Sequence, residues 1–270
     1  MKNYIKVGFV ALVFIISIAV FGKWLAGRQG LLFGLILSFG IVYIIATVGN
    51  QLAFSFFQSR HLEGRDPWSL LPVVDKLAFK AKILIPKLYM IDSDFPTAFA
   101  AGIKKDAAVI FLTKGLVKKL TPVEVEAVIA QQIARIQRRD LLPAMVAAVL
   151  ATTFLSLTDN TSYQKPSLSH QVLFSLFAPL ALFAIYLNVG GRHYVAADIA
   201  ACQWIENPMN LARALVKLDS YAKTQPPEIP YSLSHLFVVS PLAPKGWGRY
   251  FSMHPPLAKR VRKLVGIYPI

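Results

Sequence analysis

Cysteine is nearly missing from this 270-residue chain, with Cys202 the only one. One thiol closes no internal disulfide, which excludes a small secreted domain stapled by bridges. Acidic residues are scarce too, 14 against 29 lysines and arginines, for a formal charge of +15. Charged residues of both signs reach only 16 %, where an ordinary soluble domain carries about 25 %. No internal repeat and no low-complexity segment occurs, so fibrous and disordered classes are excluded as well. What is abundant is apolar: 55 % hydrophobic residues and a mean hydropathy of +0.51. A basic, apolar chain reads as a membrane protein whose cations face an anionic leaflet, and that charge needs no nucleic-acid partner.

The apolar residues fall in runs. From Leu31 to Ser59 no charged residue occurs, and Leu31–Gly49 is almost wholly apolar, close to the roughly 20 residues that span a bilayer. Val7–Gly22 is a second run, flanked by Lys2, Lys6 and Lys23. It reads either as a cleaved signal peptide or as the first arm of a helical hairpin turning through Lys23–Gly30. The lack of a convincing A-x-A site and the closeness of the next run favour the hairpin. Leu141–Leu157 and Val172–Gly190 are also uncharged. They read as a second hairpin, with a pair of buried core helices as the alternative that Pro143 and Pro179 fit slightly better. The basic residues set the orientation: 26 of the 29 flank one side of these runs, while Lys23, Arg28 and Lys165 lie in the short turns. Both termini and the polar body are therefore expected in the cytoplasm. A transporter or channel would carry charge inside its spans, and all four runs lack it.

Four parts follow: an N-terminal hairpin (1–59), a polar part (60–140), a second hairpin (141–191) and a C-terminal helical part (192–270). The expected fold class is mainly α with a small β-sheet. Pro67–Lys80 has amphipathic spacing, and Lys87–Ile91 reads as a strand. Ala107–Thr113 reads as a strand followed by a helical turn at Lys114–Leu120. Thr121 and Glu124 form a capping box, and Val125, Val128, Ile129, Ile133 and Ile136 recur at helical spacing, predicting a helix over Thr121–Arg139. Arg192–Glu206, Asn210–Lys223 and Leu257–Val265 read as further helices.

The order of motifs resembles HtpX-like membrane zinc metallopeptidases, relatives of the CAAX prenyl proteases. Pro86–Ile91 with Thr97-Ala98-Phe99-Ala100 is similar to the family's P-K-x-x-x-x…N-A-F-A. Val109–Leu116, with Thr113-Lys114-Gly115-Leu116, is similar to its edge strand and T-x-G-L turn. Phe251–Leu257 followed by Lys259-Arg260 is similar to F-S-T-H-P-P-L-x-x-R. Leu120–Asp140 is similar to the helix that carries H-E-x-x-H in the family, yet here the five residues read Gln131-Gln132-Ile133-Ala134-Arg135. The resemblance implies a bacterial-type inner-membrane protein and, in an intact relative, zinc and proteolysis.

The residues present argue against both. Two histidines one turn apart bind zinc through neutral imidazoles while the glutamate between them activates water. Gln131 offers only an amide, Gln132 has no basic group near neutral pH, and Arg135 puts a permanent cation in place of a ligand. The family's third ligand lies in an E-x-x-x-D pattern; with Asp198 as its Asp, Tyr194 takes the ligand position. No cofactor is therefore expected, and the leading reading is a pseudoprotease acting by binding, as a structural or regulatory subunit of a membrane complex. The alternative is a working metalloendopeptidase with an altered ligand set, for which His193, His254, Asp140 and Asp198 are the residual candidates. His61, His170 and His235 are isolated. Arg135 is expected to pair with Asp198, joining the two helices that a metal would have tied. The strand carrying Ala107, Val109 and Phe111 is the expected edge for peptide binding. Cys202 reads as a core residue, and the basic run through Lys259, Arg260, Arg262 and Lys263 as a solvated or lipid-facing helix face.

The charge split yields a topology prediction. A cysteine probe at Ser162 should be labelled from outside the cell, and one at Lys104 only after permeabilisation. Labelling of both solely from inside would reduce the second hairpin to a buried pair.

Overall fold

The computed structural model describes residues 12, 15–16, 18–40, 59–62, 66–102, 108–141, 191–225, 236–240 and 254–266. The expected second hairpin, save Leu141 and Gly191, lies outside the described residues, as do Ala107, His170, His235, Ser162 and Lys104.

Residues 18–40 are helical on either side of Gly27, whose φ is +58°. The chain reverses there. A Cβ added at Gly22 would lie 2.1 Å from the Gly30 carbonyl oxygen, and one at Gly34 would lie 2.7 Å from that of Ile18. Residues eight apart on one helix stand about 12 Å apart, so these contacts require two arms packed back to back. The turn falls inside the expected Lys23–Gly30. Trp24, Phe33 and Ile36 face outward, each at least 70 % exposed. Among the described residues no helix is long and apolar enough to cross a membrane.

The polar part holds a four-stranded sheet in the order β1-β2-β4-β3. Its strands are β1 (Ser59–His61), β2 (Lys87–Ile91), β3 (Ala98–Ala101) and β4 (Val109–Thr113). β2 and β4 are parallel, while β1 and β3 run antiparallel to their neighbours. β1 straddles the expected boundary at residue 59. Alternation sorts the strands into two apolar faces. Leu88, Met90, Ala98, Ala100, Ile110 and Leu112 join the helical core, while Ile91, Phe99, Val109 and Phe111 form a second cluster with Leu236 and Phe237.

This order corrects the sequence expectation for the peptide-binding edge. β4, with Val109 and Phe111, is an interior strand bonded on both sides, because the chain from β2 goes first to β3 and returns between them. Its polar backbone groups are already spent. The outer strand on that side is β3, and its free edge is met by residues 236–238: Phe99 bridges Phe237, and the Val238 N–H donates to the Ala98 carbonyl at 3.1 Å.

Six helices complete the described fold: α1 (Leu70–Ala81), α2 (Lys114–Lys119), α3 (Pro122–Gln137), α4 (Arg192–Ala201), α5 (Pro208–Thr224) and α6 (Leu257–Val265). α2 starts where the Thr113 hydroxyl accepts from the Leu116 N–H at 3.2 Å. Gly115 is required there, since a Cβ would sit 2.1 Å from the Asp94 carbonyl oxygen. α3 is the central helix, packed against α1, α4, α5 and β3. Pro122 at its first position and the Glu124 carboxylate, which accepts from the Thr121 N–H at 2.9 Å, fix its start. Its end is tied to α1 by Gln137, whose Nε2 donates to the Ala81 carbonyl at 2.8 Å.

Glu124 also takes a 2.8 Å ion pair from Lys217 of α5. Burial raises its pKa, but the Lys217 ammonium and the Thr121 N–H outweigh that and hold it below the ordinary value. A depressed carboxylate stabilises the fold above its unfolded pKa of about 4.3, and the gain disappears as pH falls through the folded value. Glu124→Gln should therefore lower the melting temperature at pH 7, by a loss of about 1 kcal/mol. The gap to the parent should close as the pH is taken below about 4; a gap that persists at acid pH would contradict this role.

Candidate functional site

The five-residue stretch Gln131–Arg135 lies in the C-terminal half of α3, and every member of it is buried. Helical spacing puts Gln131 and Arg135 one turn apart on one face. Gln132 is turned toward its neighbour: its Nε2 donates to Gln131 Oε1 at 2.7 Å. Gln131 Nε2 and Gln132 Oε1 are left buried with no hydrogen-bond partner among the described residues. Turning both amides over exchanges the atoms but still leaves one donor and one acceptor unused.

Arg135 is 3 % exposed. Its Nη1 donates to the Leu236 carbonyl at 2.5 Å, and its guanidinium lies 5.3 Å from the centre of the Tyr194 ring. The expected pair with Asp198 does not form. Both Asp198 oxygens are taken by Arg260 of α6, Nε to Oδ2 and Nη2 to Oδ1, each at 2.7 Å. The planar fork of Arg260 meets the carboxylate in two parallel bonds, while its Nη1 donates to the Val238 carbonyl at 2.6 Å. Arg260 is only 2 % exposed, so it does not belong to the solvated basic face expected for α6. Lys259, Arg262 and Lys263 do face outward.

Tyr194 lies against both cations, its ring centre 5.6 Å from the Arg260 guanidinium as well. Burial raises its pKa, against the pull of Arg135 and Arg260, so it stays a neutral phenol at neutral pH. The His254 ring rests against it at 4.5 Å. His193 and Asp140 meet each other, Nδ1 to Oδ1 at 2.9 Å, and Arg138 Nε reaches the second Asp140 oxygen at 3.1 Å. That contact ties the end of α3 to the start of α4. Burial, with the Asp198 charge beside it, pushes the Cys202 thiol up to about 11, above the range of reactive cysteines.

A zinc ion does not fit this set. The first position offers an amide, the second an amide without basicity, the third a guanidinium and the fourth a protonated phenol. Among the described residues no group of three His, Cys, Asp or Glu side chains is placed to hold a metal. Of the residual candidates, His193 and Asp140 come together, Asp198 serves Arg260, and His254 packs on Tyr194.

Sequence reasoning missed Arg260, yet a signal was available. Leu257, Val261 and Leu264 recur at helical spacing and pack on the core, and Arg260 lies next to that stripe. A cation on an apolar face must find a partner. No local pattern marks the carbonyls of Leu236 and Val238.

The sequence pattern of peptidase family M48 matches residues 69–268. The chain is similar to the protease HtpX homologue of Desulfatibacillum aliphaticivorans, at 27 % identity over all of this chain and 91 % of that one. Its identity to the homologue of Pelotomaculum thermopropionicum is 30 %, over 97 % of this chain and 98 % of that one. In three dimensions it is similar to the crystal structure of S. mikatae Ste24p, with a TM-score of 0.57 at 19 % identity, across 98 % of this chain and 66 % of that one. That likeness concerns the fold.

The buried ion pair carries a prediction. Arg260→Ala should cost about 3–5 kcal/mol, because it strands the Asp198 carboxylate in the core. A double-mutant cycle by thermal unfolding in detergent should show strong coupling of Arg260 with Asp198 and near-additivity of Arg135 with Asp198. Strong coupling of Arg135 with Asp198 would restore the pairing expected from sequence.

Proposed function

Since the chain belongs to peptidase family M48, we propose that it is a member that binds polypeptide without cleaving it. The observation that carries this reading is Arg135, a buried cation on the helix face where an intact relative presents a zinc ligand. Gln132 supports it, because an amide takes no proton from water and the general base is lost with the metal. A single change would leave room for a variant ligand set; Gln131, Gln132, Arg135 and Tyr194 together remove every ligand and the base. The altered-ligand peptidase is disfavoured by the same contacts, since His193 and Asp140 engage each other, Asp198 serves Arg260 and His254 packs on Tyr194.

We read the protein as a multi-pass component of a bacterial-type inner membrane, with both termini and the polar body on the cytoplasmic side. The apolar runs and the uneven basic residues support that placement. Without hydrolysis its role is a binding one, as a structural or regulatory subunit of a membrane protein complex.

Full-length protein purified in mild detergent should hold far less than one zinc per chain and leave an unfolded polypeptide substrate intact. Stoichiometric zinc that survives dialysis against a weak chelator, or metal-dependent cleavage, would overturn the reading.

A further inference from the structure

Arg135 poses a question that its contacts do not answer. Arginine is almost never fully buried without a paired charge, and among the described residues Arg135 makes no ion pair. Its own contacts are one carbonyl, of Leu236, and the face of the Tyr194 ring. The nearby acids are committed elsewhere: Asp198 binds Arg260 through both oxygens, and Asp140 binds His193 and Arg138. The centre therefore holds one cation more than its carboxylates balance. One turn away on the same face, the Gln131 and Gln132 amides leave a donor unused at 0 % exposure.

We infer that this site takes a carboxylate, so that the place of a metal cation in the fold has become a site for an anion. An arginine fork matches a carboxylate in shape and charge, and the Gln131 amide N–H₂ adds a neutral donor from the same helix face. The neighbouring wall is main chain: Leu236 and Val238 offer carbonyls to Arg135 and Arg260, and the Val238 N–H bonds to β3. The site thus lies beside main chain bridged to the free edge of β3. The C-terminal carboxylate of a peptide and a free small carboxylate share the required chemistry. Leu236 lies directly against Arg135, so entry displaces that segment and association is slower than at a preformed surface site. This inference rests on the non-catalytic reading above.

The test uses the full-length chain in detergent at fixed ionic strength. Probes are a fluorescent tripeptide with a free C-terminus, the same tripeptide as its C-terminal amide, and acetate as competitor. The free acid should bind saturably and the amide at least tenfold more weakly. Arg135→Gln should weaken the acid at least tenfold, and Gln131→Leu, which keeps the volume but removes the donor, several-fold. Should Arg135→Gln not fold, Gln131→Leu and Arg135→Lys, which keeps the charge but not the fork, still report. Competition by millimolar acetate would assign the site to small carboxylates; binding of the peptide acid without acetate competition would assign it to peptide termini. Equal binding of acid and amide, no binding of either acid, or insensitivity to both Arg135 and Gln131 changes would overturn the inference. Mass spectrometry of the recovered peptide separates the two readings: cleaved peptide overturns the non-catalytic function, whereas intact peptide without binding overturns the carboxylate site alone.

Discussion

The forked pair of Arg260 with Asp198 is the interaction on which the rest of the site depends. Both side chains are 2 % exposed or less, so neither could remain charged there alone; desolvating one such ion costs several kcal/mol. Together they join α6, at the end of the chain, to α4, and through the third bond to Val238 they fix the segment that meets the edge of β3. Arg260 therefore does by charge and hydrogen bonding part of what a metal does by ligation, in that it ties converging helices to one point. A second tie, between His193 and Asp140, joins α3 to α4 at the other end. With the packing of α3 against α4, that second tie joins these two helices through protein contacts.

That arrangement also decides what happens at the sheet edge. A bare outer strand offers unpaired N–H and C=O groups and attracts another extended chain. On β3 part of that edge is met by Phe237 and Val238, and the Phe99, Phe111 and Phe237 rings pack together, with Phe99 4.6 Å from Phe111 and 5.2 Å from Phe237. The same short segment thus touches the sheet by its backbone and rings, and both arginines by its carbonyls. Edge and degenerate centre are one structural unit.

Much of this was legible in the sequence, and the limits are physical. α3 was predictable because its cap and its apolar spacing agree, two independent signals from neighbouring residues. α6 has the bounds read from sequence, Leu257–Val265. β2 was legible from its apolar run, and the mixed α and β class followed from the elements. Strand order was not. β4 looks like an edge or an interior strand equally well, because its neighbours are set by where β3 lands after β2. β1, three residues long, carries too short a pattern to register. The replacement pairing failed for the same reason. Both arginines lie against Tyr194, one turn from Asp198, and the sequence favours Arg135 over Arg260 only because its helix bears the motif. The identities of Gln131, Gln132 and Arg135 on α3, by contrast, needed no fold to be read.

The two guanidiniums beside one tyrosine set how far the centre stands from metal chemistry. A neutral amide in place of histidine weakens a zinc site; a cation repels the ion it should hold. In a buried setting, where the effective dielectric is well below that of water, like charges side by side repel strongly. Tyr194 softens the repulsion between Arg135 and Arg260 by presenting its ring to both, and Asp198 cancels one of them. Neither effect makes room for two more positive charges. Arg135 is thus the change that most separates this centre from a metal site, more than the two glutamines beside it. Restoring ligands at Gln131 and Tyr194 while Arg135 remains would add donors beside a permanent buried cation.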